Sequence, residues 1–339
     1  MTTTEKRKDE HLSINTEKDV KSGLLTGFER YSFVHQALPE INLKDVSTGT
    51  NFLGHPLKLP LLISSMTGGT QEGDRINHNL AEAAQVNGIA MGVGSQRADI
   101  EKGNNTGRSF LRKAAPDIPI FANLGAIQLN YGYTITECQK AVEMIEADAL
   151  ILHLNPLQEA LQPEGQTEFA GLSVRIEQIC KQLSVPIIVK EVGWGISPET
   201  ARRLVELGVA GIDVAGAGGT SWSEVEKYRS HDEARFRIAA RFKDWGIPTA
   251  ECLKQVHAVL PDLPLIASGG ITSGLDIAKT IALGATLAGI ARPFLIAAKQ
   301  STEEVIARIE EIERELRITM FAAGATDMNS LASLTLQDR

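Results

Sequence analysis

From about residue 60 the chain repeats one alternation. A short apolar run closes on Gly, Ser, Thr or Asn, and a stretch with apolar residues at helical spacing follows. The runs are LPLLISSMTGG (Leu59 to Gly69), GIAMGVGSQR (Gly88 to Arg97), IPIFANLGA (Ile118 to Ala126) and ALILHLNPLQE (Ala149 to Glu159), then VPIIVKEVGWG (Val185 to Gly195), VAGIDVAGAGGTSW (Val209 to Trp222), LPLIASGGI (Leu263 to Ile271) and GATLAGIARP (Gly284 to Pro293). Continuous apolar runs of this length, bounded by turn residues, read as parallel strands buried on both faces. Between them, Thr134 to Ala147 sets Cys138, Ala141, Val142 and Ile145 on one helical face. Ser197 to Leu207 opens Ser-Pro-Glu, an N-cap followed by proline at the first helical position. Ser301 to Phe321 carries Val305, Ile309, Ile312, Leu316 and Met320 at helical spacing. Eight βα units predict an α/β fold of the (β/α)8 TIM barrel kind, whose last strand closes on the first; an open doubly wound sheet is the alternative.

Three segments follow: an N-terminal extension over 1–60, a barrel over 61–300 and a C-terminal helical segment over 301–339. In the extension, KDVSTGTNFLGHPLKLP (Lys44 to Pro60) has the alternation and turn residues of a β-hairpin placed to plug the barrel floor. The stretch Ser223 to Trp245 is long and charged. An insertion after a barrel strand sits on the catalytic face, so it reads as a cover over the site, against the plainer reading of a solvated helix.

Composition narrows the classes. At 339 residues, 43% hydrophobic and 22% charged, the chain is globular. Lys+Arg 34 against Asp+Glu 42 gives −8, which argues against a nucleic-acid partner but not against a small anion bound by local charge. Cys138, Cys180 and Cys252 are odd in number and far apart, which supports neither a disulfide framework nor a zinc ribbon and points to a reducing compartment. The opening MTTTEKRKDEHLSINTEKD has no apolar core, and no apolar run approaches a membrane span. The expectation is a cytoplasmic protein with no membrane partner.

In a barrel, chemistry collects at the C-terminal strand ends. Ser268-Gly269-Gly270-Ile271 and Gly289-Ile290-Ala291-Arg292 close the last two strands, and glycine-exposed amides there suit a phosphate; glycines serving only tight turns are the bland alternative. Lys190 closes an apolar strand and can meet an anion, form a Schiff base, or simply reach solvent. Gly216 to Ser221, with Thr220, offers small residues that let a flat ring approach. Ser65, Met66 and Thr67 close the first strand and Asn123 the third. Together these fit a flavin mononucleotide across the barrel mouth, with Lys190 on its N1/O2 side. His153 to Glu159 close the fourth strand. Glu159 could hold Mg²⁺ completed by substrate phosphates, or serve only the dipole of the helix it opens. Ser95, Gln96 and Arg97, and the cluster Arg7, Lys8, Asp9, Glu10 and His11, offer basic groups for a second phosphate. The latter cluster can fold over a ligand or remain a solvated tail.

These motifs coincide with one family. RKDEHL, SSMTGG, GSQR, ANLGA, HLNPLQE, VKEVGWG, DVAGAGGTSW, SGGI and GIARP make the sequence resemble the type 2, FMN-dependent isopentenyl-diphosphate delta-isomerases over almost its whole length. The resemblance implies a barrel that binds FMN and Mg²⁺, is reduced by NADPH, and interconverts isopentenyl diphosphate and dimethylallyl diphosphate as a homotetramer or larger homo-oligomer. It implies that Ser65, Met66, Thr67, Ser95, Asn123, Lys190 and Thr220 contact FMN, with the backbone at Gly269, Gly270, Ile271, Ile290 and Ala291 on its phosphate. Arg7, Lys8, His11, Ser95, Gln96, Arg97 and Gln158 would contact substrate and Glu159 the metal, while Gln158, His153, Trp222 and Glu226 would form the catalytic set, His153 also meeting the diphosphate and Trp222 and Glu226 standing beside the substrate. An FMN oxidoreductase acting on a 2-hydroxy acid is a second reading, although the stretch Pro261 to Ile271 lacks the histidine such enzymes carry near the seventh strand. A flavin-binding redox sensor is a third, and it leaves Arg7, Lys8, Arg97, Gln158 and Glu159 without a task.

Overall fold

The computed structural model describes residues 3–103 and 109–339. Residues 1–2 and 104–108, which belong to the expected extension and barrel, lie outside the described residues. Each of the eight apolar runs contributes one strand: β1 (Leu61–Ile63), β2 (Ala90–Gly92), β3 (Ile120–Gly125), β4 (Ala149–His153), β5 (Ile187–Lys190), β6 (Gly211–Asp213), β7 (Leu265–Ser268) and β8 (Leu287–Ile290). Neighbours in sequence pair in parallel around the ring. β8 returns to β1 through Ala288 opposite Leu61, Gly289 opposite Leu62 and Ile290 opposite Ile63, so the sheet closes. The alternative of an open sheet is excluded by that last pairing.

Local sequence sets the surrounding helices. Thr134 caps Ile135–Glu143 in a reciprocal capping box with Glu137. The Ser197 side chain accepts from Thr200 N and Pro198 occupies the first turn of Pro198–Glu206. Ser301 caps Thr302–Ala323, which ends on Gly324 at φ 77°, a left-handed turn that favours glycine. Val305, Ile309, Ile312, Leu316 and Met320 are all buried, and this long helix packs against Gln71–Asn87 and Gly274–Ala282. It therefore belongs to the outer ring rather than standing apart from the barrel.

Strand parity divides the core in two. Outward residues such as Leu61, Ile63, Ile120, Ala122, Leu150, Leu152, Ile187, Val189 and Ile290 pack under the helices. Inward residues Leu62, Ala90, Phe121, Ala149, Ile151, Ile188, Ile266 and Leu287 form a separate interior cluster. Its floor comes from the hairpin Thr50–Phe52 and His55–Leu57, which places Phe52 and Leu57 in that cluster; the Phe52 ring lies 5.9 Å from Phe121. At the other end, helix Thr3–Glu17 packs on Trp222–Arg229, which together with Glu233–Ala240 makes up the insertion after β6. The stretch ahead of β1 therefore reaches both ends of the barrel.

Phe52 is 1% exposed and fills the floor. Phe52→Ala is expected to cost about 3–5 kcal/mol through lost burial and the cavity left behind. The check is the urea midpoint at unchanged slope; a loss below about 1 kcal/mol would mean that the interior collapses without its plug.

Candidate active site

Inward positions along each strand change character from bottom to top. On β3 they run Phe121, Asn123, Gly125; on β4, Ala149, Ile151, His153; on β5, Ile188, Lys190. The apolar members form the interior cluster and the polar members line a cavity of about 730 Å³ above it. That volume lies within the usual range for cofactor and ligand sites. Register places His153 opposite Lys190 and Lys190 opposite Asp213, so three polar groups follow one another around the ring.

Lys190 is held from two sides. Its Nζ donates to Glu191 O at 2.7 Å and lies 3.9 Å from Asp213 Oδ2. Asp213 is buried, and its Oδ1 accepts from Ser268 Oγ at 2.7 Å and Ala215 N at 3.2 Å. Burial pushes the Asp213 carboxyl up, with Lys190 opposing. The Glu191 side chain turns away from the cavity and accepts the backbone N–H groups of Val192, Gly193 and Trp194 at 2.6–2.7 Å. Burial pushes its carboxyl up to about 7 against those three bonds. His153 Nδ1 lies 2.9 Å from Asn123 Oδ1. Its enclosure, then the charges of Lys190, Lys8 and Arg7, push it down to about 3, so it is a neutral imidazole. With the proton on Nδ1 toward Asn123, Nε2 is an acceptor.

The end of β7 and the loop after β6 meet backbone to backbone. A Cβ on Gly269 would stand 2.1 Å from Gly216 O, and one on Gly219 would stand 2.5 Å from Gly270 N. Glycine is therefore required for the close approach itself, and Thr249 Oγ1 fixes it by donating to Gly269 O at 2.6 Å. At the end of β1, next to β8, the buried Ser64 and Ser65 hydroxyls have no hydrogen-bond partner among the described residues although both residues line the cavity. Buried hydroxyls are normally paired, so these two are ready to meet a polar ligand.

The other side of the cavity is roofed by the N-terminal helix. Lys8 Nζ donates to Ser95 O at 2.8 Å, and Leu12 is buried. Arg7 is drawn below its usual range by burial and by the neighbouring Arg97. Arg97 donates to Glu101 Oε1 at 2.6 Å and to Gln166 Oε1 at 3.0 Å. The helix carrying Arg7, Lys8 and His11 lies over the cavity, and all three residues line it. Glu159 accepts from Asn155 Nδ2 at 2.9 Å and Gln166 N at 2.6 Å. Gln158 is fixed at both ends, Oε1 accepting from Asn155 Nδ2 at 3.1 Å and Nε2 donating to Glu226 Oε1 at 3.2 Å. His11 Nε2 meets the same Glu226 oxygen at 3.0 Å and stands edge-on to Trp222. Burial raises the Glu226 carboxyl, but His11 and Arg229 more than offset this, and the group lies below its ordinary range.

Most residues expected at the site do line one cavity: Arg7, Lys8, His11, Ser65, Met66, Thr67, Ser95, Arg97, Asn123, His153, Gln158, Glu159, Lys190, Thr220, Trp222, Gly269, Gly270, Ile271 and Ala291. Three do not. Gln96 is fully buried behind the wall, where Nε2 donates to Ala141 O at 2.8 Å and Oε1 accepts from Asn123 N at 3.0 Å. It positions Asn123 instead of touching a ligand. Ile290 falls on the outward parity of β8 and its carbonyl accepts from Ser64 N, while its neighbours Gly289 and Ala291 line the cavity. Glu226 sits behind Gln158. Sequence reasoning missed Asn155, Lys21, Arg292 and Arg308. Asn155 and Arg292 lay inside the quoted runs, whereas Arg308 comes from the C-terminal helix, with no sequence signal beyond its charge. Among the described residues, the cavity lining thus holds Arg7, Lys8, Lys21, Arg97, Lys190, Arg292 and Arg308 against the single carboxylate of Glu159.

A family model described as FMN-dependent dehydrogenase matches residues 152–338. Proteins named isopentenyl-diphosphate delta-isomerase match nearly end to end. That of a Synechococcus sp. is 56% identical over 96% of this chain and 94% of its own length. That of a Synechocystis sp. is 52% identical over 100% and 97%, and that of Rickettsia bellii is 49% identical over 98% and 97%. The chain belongs to the isopentenyl-diphosphate delta-isomerase family. Solved structures of more distant sequence share its fold. A lactate oxidase of Pediococcus acidilactici superposes with a TM-score of 0.68 at 18% identity, covering 97% of this chain and 86% of that one. A mandelate oxidase with (S)-4-hydroxymandelic acid gives 0.67 at 18%, covering 97% and 95%.

His153 carries a measurable consequence. An unfolded histidine titrates near 6.5, whereas the folded one waits until about 3. Between those values the unfolded chain binds the extra proton, so stability falls as pH falls, by up to about 1.4 kcal/mol per unit. His153→Gln is expected to flatten the acid limb of stability between pH 6.5 and 5, read from urea midpoints. Equal slopes in both proteins would mean that the folded imidazole charges freely.

Proposed function

We propose that this chain binds FMN and interconverts isopentenyl diphosphate and dimethylallyl diphosphate in isoprenoid biosynthesis. In this reading NADPH keeps the flavin reduced, Mg²⁺ sits on the diphosphate, and the protein works in the cytoplasm as a homotetramer or larger assembly. The observation that carries it is one cavity with two separate anion grips. The glycine loops at β7 and β8, with Arg292 and Arg308, form one; Arg7, Lys8 and Arg97 form the other, across a floor of neutral polar groups. One grip suits a cofactor phosphate, and the three cations of the other suit a substrate diphosphate better than the single carboxylate of a 2-hydroxy acid. The names of the relatives at 49–56% identity agree with this reading.

The lining fits FMN. The unpartnered Ser64 and Ser65 hydroxyls and Lys190 offer donors for the edge of a flat polar ring, and the apposed glycine loops offer amides for a phosphate. Reduced FMN, when bound, supplies a ring nitrogen able to give and take a proton beside the hydrocarbon end of the substrate. The rest falls to the chain. Arg7, Lys8 and Arg97 grip the diphosphate, and fixing that end orients the hydrocarbon chain. Among the described residues Glu159 is the only acid lining the cavity, and no cluster of three His, Cys, Asp or Glu groups fit for a metal is present. Magnesium would then take Glu159 plus phosphate and water oxygens, as its octahedral preference allows. Gln158 is a poor base; Asn155 and the ionised Glu226 clamp it at both ends and hold its amide in one orientation beside the substrate. The Trp222 ring faces the cavity and can stabilise positive charge developing on the substrate carbons.

The test is anaerobic NMR in D₂O of protein with FMN, NADPH, Mg²⁺ and isopentenyl diphosphate. Dimethylallyl diphosphate should form only with the flavin reduced. Unchanged substrate in a sample shown to hold reduced FMN would overturn the proposal and make 2-hydroxy acid oxidation the next reading to assay. Glu159→Gln should raise the Mg²⁺ needed for half-maximal rate by about tenfold or more. An unaltered Mg²⁺ dependence would remove Glu159 as a ligand.

A further inference from the structure

Arg229 ends the helix that begins at Trp222, and its side chain is 11% exposed. It reaches carboxylates on three separate elements. Nη1 donates to Glu226 Oε2 at 2.8 Å, Nε donates to Glu10 Oε2 at 3.0 Å, and Nη2 donates to Glu164 Oε1. Glu10 lies on the N-terminal helix between Lys8 and His11. Glu164 lies on the loop that follows Pro156–Leu161, the helix carrying Gln158 and Glu159, and it also stands 4.0 Å from Arg7 Nη1. A planar guanidinium has five donors in a fixed fork and can serve three acceptors at set angles, which an ammonium cannot do. None of these bonds is local to one helix except that to Glu226, so the site is built across the chain.

We propose that Arg229 is a positioning residue that locks the cationic N-terminal helix to the element bearing Gln158 and Glu159, and so couples the grip on the diphosphate to the orientation of Glu226. The proposal rests on the reading of the cavity as a diphosphate site. Through Glu10, Arg229 fixes the height of the helix above the cavity and with it Arg7, Lys8 and His11. Through Glu164, it holds the loop against which Arg7 rests. Through Glu226 Oε2, it leaves Oε1 to His11 and Gln158. A stabilising cation in the last turn of its helix would be the plainer role. That role predicts no effect from the loss of Glu10.

The test uses the FMN-loaded protein with Mg²⁺ and three readouts: calorimetric affinity for inorganic pyrophosphate, KM and kcat for isopentenyl diphosphate, and amide exchange over the helix Thr3–Glu17. Glu10→Ala cuts one arm of the clasp. It is expected to weaken pyrophosphate and raise KM by about tenfold, hold kcat within about twofold, and speed exchange in that helix. Arg229→Lys keeps the charge but not the fork. It is expected to lose pyrophosphate affinity to a similar degree and to lower kcat by about tenfold as well, because Glu226 loses its anchor. Wild-type pyrophosphate affinity and wild-type exchange in Glu10→Ala would overturn the coupling, and so would an Arg229→Lys variant that loses kcat alone. Should Arg229→Lys fail to fold, Glu10→Ala decides by itself. If the wild-type protein binds pyrophosphate but does not isomerise, the functional reading falls, and the clasp is still judged by affinity and exchange.

Discussion

Everything at the cavity depends on the two-residue period of a strand inside a closed barrel. Parallel strands covered by helices must be apolar on the outside, so the only positions free to carry chemistry are the alternate ones that face the axis. Those positions cannot all be polar either, because a barrel of eight strands is a filled core rather than a pore. The chain answers by height. Phe121, Ile151 and Ile188 fill the lower layer, and two residues further along each strand Asn123, His153 and Lys190 face the opening. A shift of one residue in any strand would exchange a cavity group for a core group and leave a polar side chain under the helices.

The same layering lets an acidic protein build a cationic pocket. The net charge is −8, yet seven arginines and lysines line the cavity against one glutamate among the described residues. The balancing acids are set one step back, where they hold the cations without facing a ligand. Asp213 stands behind Lys190 and Glu101 pairs with Arg97 at the rim. Buried charges are costly unless partnered, and this second layer supplies partners while leaving the positive field directed at the opening. His153 is the exception that follows from the rule. Enclosed, and placed among Lys190, Lys8 and Arg7, its imidazole is pushed down to about 3, and it serves as a neutral hydrogen-bonding group.

The architecture was legible because a continuous apolar run of strand length, bounded by glycine and small polar residues, fits best in a sheet covered on both faces, and the eight runs fell one to a strand. The floor hairpin was legible from its turn residues, and the long helix Thr302–Ala323 from the spacing of Val305 to Met320. The site was legible where a residue closed a run. It failed where direction matters more than position. Ile290 was read for its backbone, and its side chain takes the outward parity of β8 while Gly289 and Ala291 line the cavity. Gln96 sits in a run that does reach the site, yet its amide is spent on Ala141 O and Asn123 N, contacts that join distant segments and leave no local trace. Arg308 and Arg229 are helical cations like many others in the sequence; only tertiary packing distinguishes them.

The hairpin and the roof helix belong to one continuous stretch ahead of β1, and this has a bearing on how the protein assembles during synthesis. That stretch leaves the ribosome before any barrel strand exists. Phe52 needs Phe121, Ile188 and Leu287 around it, and Lys8 needs Ser95. β1 itself lacks one neighbour until β8 emerges, and Leu61 and Ala288 stand far apart along the chain. The stretch ahead of β1 thus waits for partners made after it, Lys8 for Ser95 and the floor hairpin for strands as late as the one carrying Leu287. Contacts of such long sequence separation slow folding and leave apolar segments waiting. The polar, heavily charged character of the run from Lys6 to Asp19 suits a segment that has to wait in water before it becomes a roof.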